Sequence, residues 1–156
     1  MGGSIMCGVD GSADSHAALD VAARLAERLE ARLILAHVAE LELAPFAAVG
    51  RVGMTGIAPR AMALTTRDEQ EEAGAQLLEQ VAAEHGLADA EQLVVVGLPA
   101  ERLADLADVA GAELIVVGSR GRGRFKAAFL GSVSSSLVGV ARCPVLIVPP
   151  AAAGAP

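Results

Sequence analysis

Residues 118–134 hold the densest chemistry in the chain: Gly118-Ser119-Arg120-Gly121-Arg122-Gly123-Arg124-Phe125-Lys126-Ala127-Ala128-Phe129-Leu130-Gly131-Ser132-Val133-Ser134. Glycines let a backbone come close to a ligand, and successive N–H groups without side chains between them can face one concavity. Gly131-Ser132 reads as the start of a helix, whose free N–H groups and positive dipole end favour a phosphate, with the Ser132 and Ser134 hydroxyls as further donors. Arg120, Arg122, Arg124 and Lys126 add positive charge within seven residues. Together these parts would cradle a small anion without any single essential lysine. The same residues also fit turn glycines, a capping serine and a solvated basic loop, and spacing alone does not separate the two readings.

Other sequence patterns narrow the chemistry. The Walker pattern G-x-x-x-x-G-K-[ST] is absent, and the first strand is followed by Gly8-Val9-Asp10-Gly11-Ser12 rather than by G-x-G-x-x-G. No Ser-His-Asp set or Glu/His metal constellation is visible, so no catalytic and no metal-ligating residue is assigned. His37 reads as a packed residue at a strand end, and His16 and His85 as helix-surface residues. Cys7 and Cys143 are too few for a disulfide framework or a zinc site and read as small buried groups in a reduced, cytoplasmic protein.

The elements that must position this loop alternate strictly. Ile5–Val9 is a short apolar run of the kind that forms a strand buried on both faces. Asp10-Gly11-Ser12 supplies turn chemistry, and Ser12 or Asp14 would cap a helix over 13–30 with Ala18, Val21, Ala22, Leu25 and Leu29 inward. A second strand covers 32–38. Residues 39–63 hold no period and read as a long mobile connection with at most a short helical turn. Helices over 64–85 (Ala73, Leu77 and Val81 inward), 99–110 and 132–142 (Val133, Leu137, Val138 and Ala141 inward) alternate with strands at 92–96, 114–117 and 145–148. Such alternation predicts one α/β domain over residues 1–150, a parallel sheet with helices on both faces, and a disordered tail at 151–156.

Length and composition agree with that prediction and exclude several functions. The 156 residues are 53% hydrophobic and 20% charged, enough to bury a core. There are three Phe and no Tyr or Trp, which argues against base-stacking nucleic-acid modules. The formal net charge is −7, with every acidic residue at or before Glu113, so nonspecific DNA binding is disfavoured. No apolar run approaches a membrane span, and no signal peptide is visible, so neither nucleic acid nor membrane is an expected partner.

Gly118-x2-Gly121-x9-Gly131-Ser132 matches the G-x2-G-x9-G-[ST] pattern of the nucleotide-binding universal stress proteins. Residues 4–149 resemble that family throughout, from Val9-Asp10-Gly11-Ser12 and Ala36-His37-Val38 to Arg142-Cys143-Pro144-Val145. One departure is Gly139-Val140, where many relatives carry a His before the Cys-Pro pair. The resemblance implies an open, Rossmann-like five-stranded parallel sheet of order 3-2-1-4-5. It implies adenosine near Asp10 and Val38, and ribose and phosphates along Gly118, Gly121, Gly131, Ser132, Val133 and Ser134. The ligand would be ATP or another adenine nucleotide, with any Mg2+ held by its phosphates. The expected function is a stress-response regulatory module with little or no turnover. Slow ATP hydrolysis at the same site is the alternative, followed by an AMP- or cyclic-nucleotide-binding or ligand-free dimeric interaction module. The resemblance further implies a homodimer through Val145, Leu146, Ile147 and Val148, an apolar strand that would otherwise leave an open sheet edge.

Overall fold

A computed structural model of the chain describes residues 2–40, 58–121 and 130–150, with the backbone alone for 58–66. The elements run β1 (Ser4–Gly8), α1 (Ala13–Leu29), β2 (Arg32–Ala39), α2 (Ala58–Glu84), β3 (Glu91–Val96), α3 (Pro99–Ala110), β4 (Ala112–Gly118), α4 (Ser132–Val140) and β5 (Val145–Val148). They form one parallel sheet in the order β3-β2-β1-β4-β5. This is the strand order that the resemblance implies.

The sheet separates two cores, and the two-residue alternation of a strand assigns side chains to each. Ile5, Cys7, Val9, Leu35 and Val116 face α1 and α2, where Ala18, Leu19, Ala22, Leu78 and Val81 meet them. Met6, Ile34, Ala36, Ile115 and Val117 face α3 and α4, where Leu103, Ala107 and Leu137 complete the second core. Strands buried on both faces have no polar side, which is why β1 and β4 read as unbroken apolar runs.

Local signals set the helix ends. Ser12 caps α1 through its Oγ, which accepts from the Ser15 N–H. Asp14 does not share that role: it is buried and turned toward β4. α3 opens on Pro99 and closes on Gly111, which has φ 65°. α1 instead ends on Glu30 in the left-handed region, φ 51°.

The structure revises several expected details. α2 begins at Ala58, within the stretch read as a connection; Pro59 is compatible with a first helical turn, where its missing N–H costs nothing. Residues 41–57 and 122–129 and the tail 151–156 lie outside the described residues. α1 buries Ser15, Ala18, Leu19, Ala22 and Ala26, leaving Leu29 exposed. α2 buries Gly74, Leu78, Val81 and Ala82, whereas Ala73 is exposed. α4 stops at Val140, before Pro144 can be reached, and Val138 points to solvent. These helices are rich in alanine, whose small side chain marks the buried stripe only weakly.

Candidate functional site

β1 and β4 are neighbours whose following connections diverge, α1 covering one face and α4 the other, so a crevice opens beyond their C-terminal ends. The cleft there has a volume of about 750 Å³. Asp10, Val38, Gly118, Gly121, Gly131, Ser132, Val133 and Ser134 all line it. Residues from the ends of three strands and the start of one helix therefore meet in one cleft.

The register explains how. Cys7 pairs with Val116 and Gly118 with Val148, so Val9 and Asp10 run beside Gly118 and Ser119. A Cβ on Gly118 would lie 2.7–2.8 Å from the backbone and Cβ of Asp14; only glycine lets α1 start this close to β4. Asp14 then fastens the loop. Its Oδ2 accepts from the Ser119 hydroxyl and the Arg120 N–H, both at 3.0 Å, and from the Arg120 guanidinium Nε at 3.4 Å. Ser119 in turn accepts from Gly131 N–H at 2.6 Å and from the Ser134 hydroxyl at 3.1 Å, which joins the two ends of the glycine loop.

The start of α4 faces this junction. Its N-cap is Gly131, which has no side chain to cap with, and the first intrahelical bond is Ser135 N–H to the Gly131 carbonyl. The N–H groups of Ser132, Val133 and Ser134 have no acceptor among the described residues. Three backbone donors and the positive helix end thus open on the cleft, an arrangement suited to a phosphate. The Ser134 hydroxyl is not a fourth donor to a ligand. It is buried and donates to the Ser119 and Gly131 carbonyls, so it shapes the loop instead.

Asp10 holds its turn through Oδ1, which accepts from both the N–H and the hydroxyl of Ser12. Its Oδ2 faces the glycine segment: a Cβ on Gly121 would lie 2.7 Å from it. Asp10 is thus beside the first turn of the glycine loop. Arg120 is drawn back to Asp14, while Arg122, Arg124 and Lys126 lie outside the described residues.

Asp14 is the residue that sequence reasoning missed. It reads as a second capping candidate, and only the β1–β4 adjacency shows that it reaches Ser119. His37 is half-buried under the cleft, its Nδ1 at 2.7 Å from the Val9 carbonyl. His16 and His85 are not separate surface residues: Nδ1 of His16 lies 2.8 Å from Nε2 of His85, whose Nδ1 lies 2.9 Å from Asp20. Among the described residues no three His, Cys, Asp or Glu side chains gather as a metal set. No described helix is long and apolar enough to cross a membrane.

Residues 1–149 match the universal stress protein family. The chain belongs to this family. Universal stress protein YxiE of Bacillus subtilis is 38% identical over 149 residues, covering 92% of this chain and 97% of its own. Among solved structures, a universal stress protein in complex with cAMP is 27% identical, with a TM-score of 0.65, covering 96% of this chain and 98% of that one. UspA from Lactobacillus plantarum, 21% identical with a TM-score of 0.71 over 94% of this chain and 97% of its own, shares the fold. Family membership makes this a stress-response protein, and nucleotide binding is found in at least one structural relative.

Proposed function

We propose that the chain is a regulatory module that binds an adenine nucleotide, ATP foremost, and turns it over slowly or not at all. The observation that carries this reading is the set of uncapped amides of Ser132, Val133 and Ser134 opening on the same cleft as Gly118, Gly121, Asp10 and Val38. Backbone donors at a helix start suit phosphate oxygens, and the apolar part of the cleft around Val38 and Leu77 suits a base. Any divalent ion accompanying the nucleotide would take its oxygens from the phosphates.

Slow turnover follows from what the cleft side chains are doing. Rapid phosphoryl transfer needs an oriented water, a bridging metal and a cation placed on developing charge. Among the described cleft residues the one cationic side chain is Arg120, and it is tied to Asp14. The cAMP complex of a relative supports a second reading, a cyclic or monophosphate adenine nucleotide in the same cradle. We further read the protein as a cytoplasmic homodimer formed along β5.

Titration calorimetry of ATP, AMP and cAMP separates these readings. ATP should bind at about micromolar affinity, near −8 kcal/mol. Single-turnover hydrolysis should stay below about 0.01 per second, against roughly 1–100 per second for kinases. Steady-state turnover near about one per second, lost in Ser132→Ala, would replace the regulatory reading with an enzyme.

A further inference from the structure

The hydrogen-bond ladder between β1 and β2 stops one step early. The paired residues end at Gly8 and Ala36, and a last bond runs from the Val9 N–H to the Ala36 carbonyl at 2.8 Å. In a parallel ladder the next bond on this side runs from the Val38 N–H to the Val9 carbonyl. Among the described residues no such bond forms. The Val9 carbonyl accepts from the His37 side chain instead, whose Nδ1 lies 2.7 Å away. A carbonyl can only accept, so Nδ1 carries the hydrogen and donates it.

This exchange of donors sets what the β2 end of the cleft offers. Alternate residues of a strand turn their backbone groups to opposite sides. Ala36 faces β1, from which it takes the Val9 bond, and Ala39 faces β3, where its carbonyl accepts from the Gly97 N–H at 3.0 Å. Val38 therefore turns its N–H and C=O to the β1 side, past the point where β1 ends at Gly8. Neither group has a backbone partner among the described residues, and Val38 lines the cleft. The ring that takes the Val9 carbonyl is held from above by α2. A Cβ on Gly74 would lie 2.8 Å from His37 Cδ2, so only glycine lets α2 come this close to it.

We propose that His37 is a positioning residue: by taking the Val9 carbonyl it halts the ladder and leaves the Val38 N–H and C=O to the ligand. The inference rests on the nucleotide reading above and assigns His37 a part within it. Val9 is buried, so its carbonyl needs a donor. Without the His37 hydrogen, the donor that the ladder brings to it is the Val38 N–H. The strands then pair one step further, and this edge of the cleft loses its free backbone groups.

Leu and Asn make the test, since they are close in size and only Asn puts an N–H donor next to Cγ, where Nδ1 sits in His37. In titration calorimetry His37→Leu should weaken ATP binding about tenfold or more, the effect of one well-placed hydrogen bond, and His37→Asn should stay within about threefold of the wild type. Amide hydrogen exchange reads the ladder itself, with no ligand present. The Val38 N–H should exchange freely in the wild type and in His37→Asn, and about tenfold or more slowly in His37→Leu. ATP should slow it in the wild type. A Val38 amide already protected in the free wild type would overturn the proposal whatever the variants do. Equal ATP affinity in the wild type and His37→Leu, or equal losses in the Leu and Asn variants, would also overturn it and leave the nucleotide reading standing. A wild type that binds no adenine nucleotide would remove both readings together.

Discussion

Asp14 and Gly121 show how a single atom's placement decides what the cleft can do. Asp14 gathers a hydroxyl, a backbone N–H and a guanidinium at one carboxylate oxygen. Asp14→Ala should leave the Ser119 hydroxyl and Arg120 N–H unpaired, lowering stability by roughly 1–3 kcal/mol in a denaturant titration. ATP affinity should fall with it, since the loop end loses its anchor. Arg120→Ala should cost binding less than about 1 kcal/mol, because that guanidinium is spent on Asp14 and is one-third exposed. Gly121→Val should abolish ATP binding with native circular dichroism, its side chain driven toward Asp10. Equal losses in Arg120→Ala and Gly121→Val would contradict a backbone cradle. Cys7 gives a further check of burial: desolvation pushes its thiol from 9.0 up to about 12. Between those values the folded chain keeps a proton that the unfolded chain has released. The stabilisation is therefore whole below about pH 9 and lost as pH rises toward 12. A thiol reagent at pH 8 should label Cys143, which is half-buried, and spare Cys7 until the chain is unfolded.

At the scale of elements, the strands were legible and the helix faces were not. β1, β4 and β5 are apolar runs bounded by turn residues, so position and type follow from the residues themselves. Gly118-x2-Gly121-x9-Gly131-Ser132 pointed to four residues that line one cleft, because glycines at fixed places let backbone segments meet closely. The stripes of α1 and α2 were blurred by alanine, and nothing local marks Gly74 as the point where α2 comes down on His37 and Val94. Asp14 was silent because its partners, Ser119 and Arg120, lie just beyond β4, at a separation that no local pattern encodes. The same holds for the chain Asp20–His85–His16, which ties the end of α2 to α1. His85 has only 15% of its side chain exposed, so removing it deprives two partners at once. His85→Ala should lower stability by about 1–2 kcal/mol in denaturant melts while leaving ATP affinity unchanged. A loss of affinity there would mean that α2 transmits strain into the cleft.

For the whole molecule the question is what covers β5. It is the last strand of an open sheet, and its backbone has two sides. The Pro144 and Val148 carbonyls accept from Ile115 and Ser119 on β4. In a strand, alternate residues turn their N–H and C=O to the same side, so Val145 and Ile147 present theirs to the open edge. On α4, the helix that precedes β5, Val138 and Val140 are 58% and 42% exposed. An apolar edge strand with apolar neighbours is an association surface unless it is covered. In the proposed homodimer a second copy related by a two-fold axis would close it, each β5 pairing with the other. The outward N–H of Ile147 makes this testable without touching the β4 ladder. Ile147→Pro removes one donor from the dimer seam at a position where an edge strand tolerates proline. Light scattering at micromolar concentration should give the wild type a mass about twice 15.7 kDa and the variant a mass near 15.7 kDa. The variant's circular dichroism should stay native, because β4 keeps its partners. A wild type that scatters as a monomer, or a folded Ile147→Pro variant that stays dimeric, would place the contact elsewhere or remove it.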